Sequence, residues 1–121
     1  MSETEKAQGL ELLTVVSTIT DGITVLTATG EMDHTSTGRL AQALKTGGLG
    51  GPPYVVVDLG HVTFIDSSGI NVLLTAHRGL AEADGWLRLA RVPDSVMRTL
   101  EIVGIDAVIP CYPGLREALA A

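Results

Sequence analysis

The amino-acid sequence predicts a single α/β domain, in which a mixed sheet of four to five strands has helices packed mainly on one face. Two observations lead to this fold class. Segments rich in β-branched residues alternate with segments of helical periodicity, and a chain of 121 residues that is 45% hydrophobic can bury one continuous core. We expect a polar tail over residues 1–9 and one domain over residues 10–121, because no low-complexity linker divides the chain.

The first two strands are predicted as an antiparallel hairpin. Residues 12–19 and 23–29 are both rich in β-branched side chains, and Asp21-Gly22 between them is a strong signal for a two-residue turn. Further along the chain, the run from Tyr54 to Leu59 is typical of a strand that is buried on both faces. We therefore place this run at the centre of the sheet.

The first helix is predicted directly after the hairpin. It follows capping residues between His34 and Thr37 and places Leu40, Ala41 and Leu44 at helical spacing. It ends in the segment 47–53, whose glycines and prolines cannot sustain regular structure and indicate a flexible loop.

The helix after the central strand has the best-defined periodicity. We expect it to begin at Asp66, Ser67 or Ser68 and to end before Asp84-Gly85. Its apolar positions recur at spacings of three and four, and they are Ile70, Leu73, Leu74, His77 and Leu80. His77 lies on this stripe, so we interpret it as a partly buried packing residue rather than a catalytic base.

Four shorter elements complete the predicted domain. Residues 86–90 suit a strand, and residues 93–103 suit a helix with proline in its first turn and Gly104 just past its end. Residues 107–109 suit a short strand, and residues 113–120 suit a final helix. With right-handed crossovers, this alternation gives a mixed sheet covered by helices.

Composition and charge argue against several classes of function. The 8 Lys and Arg residues against 14 Asp and Glu residues give a net charge of −6, which repels phosphate backbones and disfavours direct binding to nucleic acid. No apolar run approaches the roughly 20 residues that a membrane span needs, and residues 1–9 lack the basic and apolar order of a secretory signal. We therefore expect a cytoplasmic protein without a membrane span.

The sequence contains no recognisable catalytic constellation or cofactor site. The three histidines are scattered without the close spacing of a zinc site, and the single cysteine, Cys111, is interpreted as a packed and inert thiol. The glycines at residues 47–51 follow a helix and precede a strand, which is the reverse of the order in a nucleotide-binding loop. We predict no metal, no other cofactor and no enzyme activity.

The segment from Phe64 to Gly69 remains as a candidate functional site. One interpretation is helix capping, in which Asp66 or Ser67 accepts hydrogen bonds from the first amides of the helix. The other is phosphorylation, because a helix N-terminus tolerates a phosphoryl group on Ser67, and its charge beside Asp66 or Asp33 could abolish a protein contact. Helix-cap chemistry permits the second interpretation without requiring it.

Two further motifs are the segment from Gly30 to His34, which follows the second predicted strand, and Val57-Asp58-Leu59 followed by Val62 to Gly69. Together with the order of elements they resemble the STAS-domain family, and within it the bacterial anti-anti-sigma factors, over about Leu10 to Ala120. The second motif is the more specific one and is similar to the phosphorylation-site signature of the family. The resemblance implies a single STAS-type domain that acts by binding rather than by catalysis.

The resemblance also implies a partner-switching mechanism. The unphosphorylated protein, an anti-sigma factor antagonist, binds an anti-sigma factor that is also a serine kinase, and thereby frees a sigma factor for transcription. The kinase phosphorylates the serine after the signature aspartate, which is Ser67 here, and a metal-dependent Ser/Thr phosphatase reverses this. By position, Asp33, Asp66 and Ser67 lie on the partner-binding face. Ser68 and Gly69 belong to the same face and shape the start of the helix.

The sequence leaves three points open. Ser68 is the second choice for the modified residue, because helix-cap chemistry does not distinguish two adjacent hydroxyls. The family commonly has Leu-Gly where this chain has Ile70-Asn71, and the glycine-rich loop is unusual, so the partner is not identified. The alternative function within the family is a stand-alone STAS subunit that regulates a membrane transporter from the cytoplasmic side without phosphorylation.

Overall fold

The computed structural model describes residues 13–47 and 53–121. Its strands are β1 (Leu13–Thr20), β2 (Ile23–Met32), β3 (Tyr54–Ile65), β4 (Trp86–Ala90) and β5 (Cys111–Tyr112). Its helices are α1 (Thr37–Gly47), α2 (Ser67–Glu82), α3 (Asp94–Val103) and α4 (Leu115–Ala120). The strands form one sheet in the order β1-β2-β3-β4-β5, with β1 antiparallel to β2 and the other neighbours parallel. The predicted α/β class with a mixed sheet is confirmed.

The β1–β2 hairpin follows from its turn residues. Asp21 and Gly22 have φ angles of 52° and 79°, and a type I′ turn needs positive φ at both central positions. Glycine adopts such angles without steric cost, and Asp tolerates them better than most residues. The hairpin is therefore confirmed. The predicted tail at residues 1–9 and the segment 48–52 of the predicted glycine-rich loop lie outside the described residues.

β3 is longer than the sequence pattern indicates. The apolar run predicts a strand over residues 54–59, whereas β3 continues to Ile65 alongside β2. Two register irregularities interrupt the β2–β3 pairing in this extension, and such irregularities break the alternation from which strands are recognised. The extension brings the carboxyl ends of the two strands to the same edge of the sheet, where Met32 pairs with Ile65.

Three helices pack on one face of the sheet and the fourth packs on the other. The larger core cluster joins β1 to β4 with α1, α2 and α3, which contribute among others the fully buried Leu40, Leu73 and Leu100. A smaller cluster on the opposite face joins Val56 of β3 to Ala118 of α4. Because each successive parallel strand is added on the same side, right-handed crossovers place the three connecting helices on one face.

The helices begin and end close to their predicted positions. α2 begins at Ser67 with Asp66 as its N-cap, and Gly104 ends α3 in a left-handed conformation with φ of 90°. Pro93 is the N-cap of α3 rather than a member of its first turn, which moves the predicted start of this helix by one residue. In the described residues, no helix is long and apolar enough to cross a membrane.

The strand predicted at residues 107–109 is wrong. The chain forms a 3-10 turn at Ile105–Ala107, and β5 begins only at Cys111. The amide of Ile109 donates to the carbonyl oxygen of Ile105 at 2.8 Å, so this amide is not available to a sheet. Both isoleucines are buried, because a spacing of four residues places them on the same side of a helical turn.

An ion pair with the partly exposed Arg91 satisfies the one acidic side chain in the middle of β3, which is buried. Asp58 is 4% exposed, and Nε of Arg91 donates to its two carboxylate oxygens at 3.0 and 3.2 Å. The amide of Gly60 donates to the same carboxylate at 2.9 Å. These donors compensate the loss of hydration that a buried charge suffers. Asp58, which belongs to the second sequence motif, therefore has a structural role.

Candidate functional site

The candidate site lies at the edge of the sheet where β2 and β3 end side by side. The chain leaves β2 through residues 33–36 and enters α1, and it leaves β3 through Asp66 and enters α2 at once. The amide of Asp66 donates to the carbonyl oxygen of Met32 at 3.1 Å, which continues the pairing of the two strands. Of the five predicted site residues, Asp33 and Asp66 therefore lie on these two neighbouring connections, and the other three form the first turn of α2.

Asp66 joins the two connections through its carboxylate. Its Oδ1 accepts hydrogen bonds from the amides of Ser68 at 2.8 Å and Gly69 at 3.2 Å, which is the N-cap geometry expected for α2. Its Oδ2 accepts a hydrogen bond from the amide of His34 at 3.2 Å. One side chain thus caps a helix and also fixes a loop that is 32 residues away in sequence.

Gly69 allows the start of α2 to lie directly against the end of β2. A Cβ atom at this position would lie 2.8 Å from Cγ1 of Ile65 and 3.0 Å from the carbonyl oxygen of Met32. Both distances are below ordinary van der Waals separation. A side chain here would push the helix away from the strand that precedes Asp33.

Asp33 is held by its own loop rather than by α2. Its Oδ1 accepts hydrogen bonds from the amide of Thr35 at 2.9 Å and from the hydroxyl of Thr35 at 2.7 Å. The Thr35 hydroxyl, and then its amide, hold the pKa of the Asp33 carboxyl below its usual value. The amide of Asp33 donates to the hydroxyl oxygen of Ser36 at 3.0 Å. The loop therefore presents an ionised carboxylate in a fixed position at neutral pH.

The two adjacent serines differ in exposure. Ser67 is the first residue of α2 and is exposed, whereas Ser68 is half-buried. Neither hydroxyl makes a hydrogen bond within residues 13–47 and 53–121, so capping of α2 falls to Asp66 rather than to Ser67. The first-turn amides of Ser68 and Gly69 are already bonded to Asp66, and the amide of Ile70 donates to the Asp66 carbonyl at 3.0 Å.

Phe64 is a surface residue that sequence reasoning did not select for binding. It lies opposite Glu31 in the β2–β3 pairing, two residues before Asp66, and its side chain is 48% exposed. An aromatic residue within a strand usually indicates a core position, so the pattern concealed its exposure. The irregular pairing at this end of β3 turns Phe64 outward next to the predicted site.

The other candidate polar groups in the described residues are the histidines and Cys111. In the part of the chain that the structure describes, no three His, Cys, Asp or Glu side chains are close enough together to hold a metal ion. His77 is half-buried on α2, which is consistent with packing. Cys111 is also half-buried, and burial raises the pKa of its thiol, so the unreactive protonated form predominates at neutral pH.

A family profile described as STAS domain matches residues 14–118, which is most of the chain. The chain belongs to the STAS domain family. As a STAS domain, it has its exposed serine at the start of the helix that follows the long central strand, where the sequence motif predicts the modified residue.

Relatives of this STAS domain include anti-sigma factor antagonists. BtrV of Bordetella bronchiseptica, named an anti-sigma factor antagonist, is 30% identical over 101 residues, which cover 84% of this chain and 86% of the relative. The crystal structure of an anti-sigma factor antagonist from Mycobacterium paratuberculosis is 28% identical, with a TM-score of 0.81 over 89% of this chain and 92% of its own. These relatives are named for antagonism of another protein and not for a reaction, which supports the predicted absence of enzyme activity.

The fold also extends to more distant structures. The unphosphorylated form of the anti-sigma factor antagonist SpoIIAA is 20% identical, with a TM-score of 0.75 over 88% of this chain and 93% of its own. A structure of Bacillus SpoIIAA in its phosphorylated form has a TM-score of 0.69 at 19% identity, over 88% of this chain and 97% of its own. At this level of identity the likeness establishes the shared fold.

Proposed function

We propose that this protein is an anti-sigma factor antagonist that acts by partner switching in the cytoplasm. In its unphosphorylated form it binds an anti-sigma factor that is also a serine kinase, and a sigma factor is released. The kinase then phosphorylates Ser67 and ends the complex, and a metal-dependent Ser/Thr phosphatase restores the binding form. The surface that contacts the partner consists of Asp33, Asp66, Ser67 and Ser68, and the buried Gly69, which the sequence motif also assigns to this face, supports it by holding the start of α2 against β2.

The observation that carries this proposal is the exposed hydroxyl of Ser67 at the N-terminus of α2, which makes no hydrogen bond to the residues that the structure describes. A kinase needs a hydroxyl that it can reach, and Ser67 meets this need better than the half-buried Ser68. The positive end of the helix dipole accommodates the negative charge of a phosphoryl group. These points favour Ser67 on physical grounds that helix-cap chemistry alone does not supply.

Phosphorylation would act on binding through local charge. A phosphoserine carries about −1.5 to −2 charges at neutral pH, and Ser67 follows the ionisable Asp66 in a chain whose net charge is −6. The Asp66 carboxylate already accepts the hydrogen bonds of the Ser68 and Gly69 amides, so the phosphoryl group does not find these donors free. We expect it to project toward the partner, where an uncompensated charge in a desolvated contact weakens binding about tenfold or more.

Phosphate transfer from labelled ATP tests the proposal. Wild type, Ser67→Ala and Ser68→Ala are incubated side by side with lysate of the source cells, and each is also titrated against the isolated kinase. We expect label in wild type and Ser68→Ala but not in Ser67→Ala, and we expect Ser67→Asp to bind the kinase at least about tenfold more weakly than wild type.

Any other outcome would contradict a specific part of the proposal. Loss of label only in Ser68→Ala would move the modified site by one residue. Equal affinity of Ser67→Asp and wild type for the kinase would contradict switching by charge. No label in any variant, with a control substrate phosphorylated in the same lysate, would favour the transporter-subunit alternative.

A further inference from the structure

One side edge of the sheet is formed by β1, whose neighbour among the described strands is β2. β1 has eight residues, of which the six at Thr14 and Val16 to Thr20 are exposed. The usual strand has about five to six residues, so this edge is long. It includes two of the most exposed apolar side chains in the described residues, Val16 at 60% and Ile19 at 70%.

The hairpin geometry determines which backbone groups of β1 face outward. Thr20 and Ile23 flank the two-residue turn and form a hydrogen-bonded pair, and such pairs alternate with non-hydrogen-bonded pairs along an antiparallel ladder. The N–H and C=O groups of Ile19, Ser17 and Val15 therefore point away from β2. They form a regular row of donors and acceptors, which is a template for another strand.

Within residues 13–20, β1 lacks the proline, the charge and the irregular pairing that often protect an edge strand. Its pairing with β2 runs from Thr20 to Leu13 without a register shift, and residues 13–20 contain no proline and no charged residue. The opposite edge differs, because β5 has only two residues and lies between Pro110 and Pro113. β5 is too short to pair with another chain, whereas β1 is long, regular and uncharged.

We infer that the outer edge of β1 binds the β1 edge of a second copy of this chain, so that two sheets join into one continuous antiparallel pairing. The charge of the strand favours this partner. In a protein of net charge −6, β1 is a neutral segment, so two copies can meet here without direct repulsion between charged side chains. A charged partner strand would find no complementary side chain on β1.

The side-chain pattern of β1 is complementary to itself. A two-fold axis at Ser17 sets Ser17 opposite its own copy and Ile19 opposite Val15, and these are the residues whose backbone groups face outward. On the other face of the sheet, Val16 then lies opposite Thr18. Both strongly exposed apolar residues gain a cross-strand contact in this register.

The geometry of the β1–β1 dimer determines its affinity and its position relative to the two Ser67 sites. A single strand pair buries less than the roughly 1,200–2,000 Å² of a standard stable interface, so we expect a concentration-dependent equilibrium between monomer and dimer. Antiparallel pairing of β1 makes the carboxyl ends of β2 and β3 point in opposite directions in the two copies. The two Ser67 sites stay exposed, and the inference does not depend on the proposed function.

Sedimentation equilibrium of the full chain over a range of micromolar concentrations tests the inference. We expect wild type and Ser67→Asp to dimerise equally, and Ile19→Lys to weaken dimerisation about tenfold or more, because the axis presents each altered pair twice. Val108→Lys is the matched control, since Val108 is 47% exposed on the turn before β5. A wild type that stays monomeric, or an Ile19→Lys variant that dimerises as wild type does, would overturn the inference.

Cysteine cross-linking tests the register independently of the lysine variant. In a Cys111→Ser background, Ser17→Cys places two thiols across the axis at a Cα separation of about 5.5 Å, which a disulfide can bridge. Thr14→Cys is the control, because its partner in this register is Thr20. We expect an oxidised dimer from Ser17→Cys alone. Cross-linking of Thr14→Cys with none of Ser17→Cys would refute the proposed register.

Discussion

Replacing Gly69 by alanine tests how the start of α2 is held against the end of β2. Gly69 is buried in the first turn of the helix, and the added Cβ would lie 2.8 Å from Cγ1 of Ile65, 3.0 Å from the carbonyl oxygen of Met32 and 3.1 Å from Met32 Cβ. The Ile65 side chain can rotate, but a backbone carbonyl in the sheet cannot. The substitution must therefore displace α2 from β2.

Two opposing effects determine how much Gly69→Ala changes the free energy of unfolding. Alanine is better than glycine in a helix by about 1 kcal/mol, whereas overpacking of a tight site costs about 1–3 kcal/mol. Because a backbone atom is among the clashing groups, we place the cost near the upper end of this range and expect a net loss of about 2 kcal/mol in the free energy of unfolding. Gly79 on the same helix is the control, since a Cβ there meets nothing within 4 Å. Gly79→Ala should gain about 0.5–1 kcal/mol.

Urea unfolding measures both effects through the fluorescence of Trp86, the single tryptophan of the chain. The expected signature is a shift of the midpoint in opposite directions for the two glycine variants. Gly69→Ala should also weaken binding of the proposed kinase partner, because the displaced helix carries Ser67. If Gly69→Ala were as stable as Gly79→Ala, the close approach of α2 to β2 would not be what requires glycine at this position.

Three further predictions concern groups around the sheet. Arg91→Ala leaves the buried carboxylate of Asp58 without its charged partner. We expect the free energy of unfolding measured in urea to fall by about 2–3 kcal/mol and Arg91→Lys to restore part of it. An unchanged midpoint would contradict this. Phe64→Ala should change the free energy of unfolding by no more than about 0.5 kcal/mol, yet reduce affinity for the proposed kinase about fivefold or more by calorimetry. Ile102→Ala is the control, at a residue 80% exposed on α3, and should change neither quantity. Equal effects of the two substitutions would count against Phe64 as a contact. Burial is the main cause that raises the pKa of the Cys111 thiol above its ordinary value of 9.0. Alkylation of this thiol by iodoacetamide at neutral pH should therefore be slower in the native protein than in urea. A native rate equal to the unfolded one would refute an inert thiol.

Local sequence signals predict most of the fold. The hairpin at Asp21-Gly22, the helix capped by Asp66 and the left-handed stop at Gly104 each depend on residues adjacent in the chain, so their chemistry is visible in the sequence. The strand expected at residues 107–109 failed for a related reason. A short run of β-branched residues does not distinguish a strand from a turn that buries Ile105 and Ile109 on one side.

The candidate site is only partly predictable, because its geometry depends on distant contacts. The sequence identifies Asp66 as a cap, but not the hydrogen bond from the His34 amide to its second oxygen, which spans 32 residues. That bond requires β2 and β3 to end at the same edge of the sheet. The extension of β3 to Ile65 passes through irregular pairing, which a periodic sequence pattern does not predict. The outward position of Phe64 has the same origin.

The two oxygens of Asp66 bear on the proposed modification of Ser67, because they show which bonds hold the surrounding backbone. Oδ1 accepts a hydrogen bond from the first turn of α2, and Oδ2 accepts one from the loop of Asp33 and His34, so one side chain ties together the backbone on both sides of this surface. Because Asp66, and not Ser67, caps the helix, modification of the Ser67 hydroxyl would remove no hydrogen bond between the described residues. The charge added there would therefore weaken partner affinity and leave the free energy of unfolding nearly unchanged.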